Sequence, residues 1–170
     1  LRLRSYGRTE RDSPVFMELK KKYRSIVYKR RLTLPYDRAL DCLTGACPWP
    51  ETQIGGEIRY TVDFYPDLES RVFLAYERDS WLAPESGLRI TFDDAIRFRT
   101  EELTLDSDPW GTALLGPDQV LMELKAPGAI PLWMVRLLTE MRLYKTSFSK
   151  YGTAYQLLLE REWKGGKRYA

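Results

Sequence analysis

Histidine is absent from all 170 residues. That excludes His-based catalytic triads, HExxH zinc sites and imidazole acid–base chemistry together. Cysteine is nearly absent as well: Cys42 and Cys47 are the only two, too few for a four-ligand zinc site. They fall at the end of one predicted helix and in its loop, and are expected to be the reduced thiols of a cytoplasmic protein, where disulfides are rare. No apolar run approaches the roughly 20 residues that span a bilayer. Leu1-Arg2-Leu3-Arg4 alternates charge where a secretory leader would be apolar, so no leader is expected there. An excess of one charge is missing too. The 27 Lys+Arg stand against 24 Asp+Glu, so binding to a polyanion would have to rest on local concentration of cations.

What the chain does have is enough apolar sequence, 44%, to bury a core, and a length that suits one domain over residues 1–170. No segment has a linker composition. Several segments alternate charged and apolar residues at period 2, the mark of a two-faced strand. These are Arg2 to Tyr6, Val15 to Lys22, Ser25 to Arg31, Arg71 to Trp81, Leu88 to Phe92, a weaker Ile96 to Arg99, and Val120 to Lys125. Helices are predicted over Pro35 to Leu43, closed by Gly45; Thr52 to Phe64, despite Gly55-Gly56; Pro131 to Tyr144; and Lys150 to Trp163, followed by a frayed tail Lys164 to Arg168. In the third helix Trp133, Leu137, Leu138 and Met141 are expected to pack on the core. Thr100 to Asp118, with two prolines and two glycines, reads as a hairpin or exposed loop, not a domain boundary.

The charged faces of the clearest strands collect Arg2, Arg4, Glu18, Lys20, Lys22, Arg78, Arg89, Asp93, Glu123 and Lys125, seven cations to three anions. Spacing leaves two arrangements open. One is an antiparallel sheet with a solvated polar face. The other is a closed or nearly closed barrel with the charge inside. Inward-facing cations repel one another unless a polyanion fills the lumen, so such a barrel is a site for a long, multiply charged ligand. Arg offers phosphate a planar fork and Lys a point charge. A carboxylate among them can help hold a divalent metal.

Eight pieces, in order, resemble the VTC domain, the polyphosphate-polymerase module of the vacuolar transporter chaperone family, within the triphosphate tunnel metalloenzymes (the CYTH-like superfamily). They are Leu1-Arg-Leu-Arg-Ser-Tyr-Gly7, Phe16-Met-Glu-Leu-Lys-Lys-Lys22, Tyr28-Lys-Arg-Arg31, Tyr76-Glu-Arg78, Leu88-Arg-Ile-Thr-Phe-Asp93, Leu121-Met-Glu-Leu-Lys125, Pro131-Leu-Trp133 and Phe148-Ser-Lys-Tyr151. The resemblance implies an α+β fold: an antiparallel β-barrel tunnel with a few flanking helices. It implies a phosphoryl transferase that moves the ATP γ-phosphate onto inorganic polyphosphate with Mn²⁺ or Mg²⁺. By position, Arg2, Arg4, Lys20, Lys29, Arg78, Arg89, Ser149 and Lys150 would bind phosphate, Lys20, Arg89 and Lys150 would act in catalysis, and Glu123 would bind the metal. A cytoplasmic location, at the inner face of a membrane through a membrane-protein partner, is also implied.

One departure stands out. The superfamily opens on a strand alternating Glu and Lys, and no such strand precedes Leu1; Phe16 stands where a longer Glu-x-Glu-x-Lys would need Glu. The expectation is therefore a domain lacking its first strand or strands, with its natural start upstream. The same residues would suit a metal-dependent triphosphatase, or a module that binds polyphosphate without turnover. Single-stranded nucleic acid is not the expected ligand, because the aromatics are not expected to share the charged faces.

Overall fold

The computed structural model describes residues 1–24 and 26–166 and is an α+β protein of two antiparallel sheets and four helices. It divides into two compact units, Leu1–Arg71 with Leu103–Asp108, and Val72–Glu102 with Pro109–Ala170. The two sheets are what the structure establishes of the expected barrel.

In the first unit, β1 (Arg2–Arg4), β2 (Pro14–Tyr23) and β3 (Ile26–Pro35) pair antiparallel in that order. Ser25, where the third predicted strand starts, lies outside the described residues. Arg2 stands opposite Glu18, Glu18 opposite Arg31, and Lys20 opposite Lys29. Because side chains alternate across a strand, this register separates two faces. One carries Arg2, Arg4, Phe16, Glu18, Lys20, Lys29 and Arg31. The other carries Leu3, Val15, Met17, Leu19, Leu32 and Leu34, and is covered by α1 (Tyr36–Thr44) and α2 (Gln53–Phe64). Val15, Met17, Leu19, Leu34, Tyr36, Ala39, Cys42 and Ile58 form the buried core between them. Each large aliphatic side chain buried there contributes about 1.5–3 kcal/mol.

Local sequence explains α2. Thr52 caps α2, its Oγ1 accepting the Gly55 N–H at 3.0 Å. Gly55 weakens the helix in isolation, yet a Cβ there would sit 2.3 Å from the Pro50 carbonyl oxygen, so the close approach requires glycine. Part of the predicted 100–118 loop also belongs to this unit. The Thr9 N–H donates to the Leu105 carbonyl at 3.0 Å, and the Leu105 N–H donates to Tyr36 Oη at 3.1 Å.

The second unit is built on β5 (Leu88–Arg99), which pairs antiparallel with β4 (Phe73–Ala83), β6 (Thr112–Ala113) and β7 (Leu121–Lys125). The two short strands predicted at 88–92 and 96–99 are one strand with an irregularity. Between the pairs Ala75–Arg97 and Glu77–Asp94, β5 advances one residue more than β4, and Ala95 takes φ +44°. Leu88, Ile96, Phe98, Met134 and Ala154 are its buried apolar residues.

Two helices complete the unit, α3 (Leu132–Glu140) and α4 (Lys150–Gly166). α3 corrects one expectation: Trp133, Leu137 and Met141 are exposed, and Met134 is the buried residue. The reason lies in its sequence. Leu132, Trp133, Met134, Val135, Leu137 and Leu138 put apolar groups on most sides of the helix, so periodicity does not single out a core face. α4 continues through Gly166, past the predicted start of fraying; residues 167 and 168 of that tail lie outside the described residues. Among the described residues no helix is long and apolar enough to cross a membrane.

Candidate functional site

The charged face of the first sheet is organised around Glu18. Its side chain is 3% exposed, on the face opposite the apolar core. Three cations from two flanking strands reach it. Arg2 donates from Nε to Oε2 at 2.9 Å and also through Nη2. Arg31 donates from Nε and Nη2 to Oε1 at 2.9 and 2.5 Å, and Lys29 Nζ lies 3.1 Å from the same oxygen. Burial pushes the Glu18 carboxyl up; the hydrogen bonds from Arg2, Arg31 and Lys29 outweigh it and hold it at about 2. Glu18 is therefore a fixed anion at neutral pH. One carboxylate among three cations leaves the cluster positive.

Aromatic rings prop this array. Arg31 lies over the Phe16 ring at 4.8 Å and Arg4 over Tyr6 at 4.5 Å, and the two rings meet edge to face. Lys20 is exposed on the same face, and no carboxylate among the described residues pairs with it or with Arg4. The Lys22 side chain, aligned with them by spacing, lies outside the described part of the structure.

The second sheet repeats the design with a different hub. Asp93 is wholly buried and accepts from Arg78 Nε and Nη2 at 2.5 and 2.6 Å, and from Lys150 Nζ. Arg78 stands directly opposite on β4, while Lys150 arrives from the first residue of α4. Burial raises the Asp93 carboxyl, but the bonds from Arg78 and Lys150 bring it below its usual range. The bond to Asp93 in turn holds the Arg78 guanidinium above its ordinary value. Tyr76 backs both cations, with Lys150 Nζ 4.7 Å and the Arg78 guanidinium 5.1 Å from its ring. Phe16 and Tyr76 thus correct the expectation that aromatics avoid the charged faces: each lies under a cation.

Register brings the remaining predicted residues of this unit to the same face. Arg89 pairs with Lys125 and Thr91 with Glu123, four and two residues along β5 from Asp93. Arg89 is exposed, and no carboxylate among the described residues pairs with it. Glu123 is half-exposed and holds Lys125 at 3.2 Å. Ser149 sits just before α4, where its Oγ accepts the Gly152 N–H at 3.1 Å, a helix-capping duty. Arg99 is a different kind of arginine. It is buried, stacks 3.5 Å from the centre of the Phe73 ring, and donates to the carbonyls of Glu101, Glu102 and Trp110.

Among the described residues no group of three or more His, Cys, Asp or Glu side chains could hold a metal ion. Both Asp93 oxygens are taken by cations, whereas Glu123 on this face is held by Lys125 through Oε1 and is half-exposed. A single carboxylate is a fair match for Mg²⁺ or Mn²⁺ when phosphate oxygens and water complete the shell.

Sequence reasoning missed three participants: Glu18, Arg31 and Asp93. Glu18 and Asp93 stood in the charged rows, but period 2 cannot show that a carboxylate is enclosed by cations from other strands. The β2–β3 register would have paired Glu18 with Arg31, but no Asn-Gly or Asp-Gly marks the turn between Tyr23 and Ile26.

The family model for the VTC domain matches residues 1–159 of this chain. No curated protein and no solved structure matches it.

Proposed function

Because the chain belongs to the VTC-domain family, we propose that it is a polyphosphate-polymerase-type phosphoryl transferase that moves the γ-phosphate of ATP onto a polyphosphate chain. One observation carries the proposal. The cations the family assigns to phosphate lie on two basic faces, each ordered around a buried carboxylate, while Arg4, Lys20 and Arg89 are left without a carboxylate partner among the described residues. The tunnel barrel is part of this proposal and rests on the family alone.

The terminal phosphate of a growing chain is already an anionic nucleophile, so transfer needs no general base and the absence of histidine is no handicap. It needs in-line positioning and positive charge around the equatorial oxygens. Arg2, Arg4 and Lys29 on the first sheet and Arg78 on the second bind phosphate oxygens. Lys20 in the first unit, and Arg89 and Lys150 in the second, keep the catalytic roles that the resemblance implies for them. Ser149 orients Lys150 by capping the helix that begins there. Glu123 would hold Mn²⁺ or Mg²⁺, which would neutralise charge on the phosphate oxygens.

The test is incubation of the protein with ATP and Mn²⁺. Long-chain polyphosphate is expected; free phosphate alone would make the protein a triphosphatase, and binding of polyphosphate without turnover would make it a binding module. Glu123→Gln is expected to lower metal-dependent turnover on the order of a hundredfold while the fold survives, since the side chain is half-exposed. Full activity in that variant removes Glu123 from the metal.

A further inference from the structure

Cys42 and Cys47 have no role in the phosphate chemistry, yet their sulfur atoms lie 3.2 Å apart. The local chain explains the approach. α1 ends in a Schellman turn: the Ala46 N–H donates to the Asp41 carbonyl at 2.8 Å and the Gly45 N–H to the Cys42 carbonyl at 3.4 Å. Gly45 takes φ +79°, which glycine adopts without strain. This reversal, together with the Cys47 N–H donating to the Asp41 carbonyl at 3.3 Å, folds the chain back so that Cys47 returns over the last turn of α1. Cys42 is buried in the core, Cys47 is partly open to solvent, and both are free thiols.

We propose that Cys42 and Cys47 are a redox-modification site that closes to an intramolecular disulfide on reaction with a low-molecular-weight disulfide such as oxidised glutathione. The sulfurs have to approach by only about 1 Å to reach bonding distance. The step balances as two exchanges. The more accessible Cys47, as thiolate, attacks the small disulfide, forms a mixed disulfide and releases one small thiol. Cys42 then attacks Cys47 Sγ, the mixed disulfide breaks, and the second small thiol leaves. In sum two protein thiols are oxidised, one small disulfide is reduced to two thiols, and the two cysteine protons end on those thiols.

The environment orders these steps. Burial, and then the hydrogen bond with Cys47, push the Cys42 thiol up to about 11. A protonated thiol is a poor nucleophile, so ring closure quickens as pH rises. In a reducing compartment the pair remains a dithiol, and an oxidising shift closes it.

The test uses the whole chain. After treatment with excess oxidised glutathione, the protein is denatured, labelled with a maleimide and weighed intact. The expected result is loss of both reactive thiols, a mass lower by two hydrogens with no glutathione attached, a monomer on non-reducing gels, and recovery of two thiols with dithiothreitol. Cys42→Ser is expected to stop at a stable glutathione adduct on Cys47, which separates the two exchanges. Persistence of two free thiols, a lasting adduct on the unsubstituted protein, or a disulfide between two chains would overturn the proposal. None of these outcomes depends on ATP turnover.

Discussion

The two basic faces solve the same problem differently. On the first sheet Glu18 gathers Arg2, Lys29 and Arg31, whose side chains are 56%, 51% and 38% exposed. On the second, Asp93 gathers two cations that are themselves largely enclosed, Arg78 at 27% and Lys150 at 18%. Solvent screens the first cluster and barely reaches the second. A buried carboxylate stripped of its partners is costly in proportion to how little water can replace them. The first cluster is therefore a positive surface steadied by an anion; the second is a tie joining β4, β5 and the start of α4. Each hub fixes the geometry of its donors through charge-assisted hydrogen bonds.

Four measurements press on this contrast. The largest effect is expected from Asp93→Asn, which leaves two enclosed cations facing a neutral amide and should cost about 3–5 kcal/mol of unfolding free energy, read by urea denaturation. Glu18→Gln should cost less, about 1–3 kcal/mol, because water can solvate its released partners; a larger loss than for Asp93→Asn would reverse the ranking of the clusters. Acid comes next. Glu18 is held at about 2 against an ordinary 4.5, so its contribution is complete above about 4.5 and is lost as pH falls toward 2. The depressed Asp93 acts in the same direction. Thermal melts across that window should show a steeper decline in the unsubstituted protein than in Glu18→Gln. Smallest in stability, within about 0.5 kcal/mol, are Lys20→Ala and Arg89→Ala, whose side chains are exposed and pair with no carboxylate among the described residues. Their effect should appear instead in titration calorimetry as weakened triphosphate binding, and unchanged affinity in both would count against the assigned roles.

The strands that carry these faces were readable because alternation along a strand is a local property. β2 and β7 fall within a residue or two of their predicted ends, and Arg2, Lys20, Arg78, Arg89 and Glu123 lie on faces that period 2 could identify. Where the local pattern breaks, legibility ends. The irregularity at Ala95 split β5 into two apparent strands. α3, apolar on most sides, offered no single stripe to read. Gly55 counted against a helix whose close contact with Pro50 requires it.

Composition and spacing by themselves determined the class of chemistry open to this protein, because zero histidines, two cysteines and cations at every second position are properties of the chain however it folds. Tertiary structure alone decided which charges are tied and which are left over. Glu18 meets Arg2 across 16 residues and Asp93 meets Lys150 across 57, and no local rule can pair groups so distant in sequence. Their ionisation depends on burial together with those partners, and both exist only once the strands have found their register.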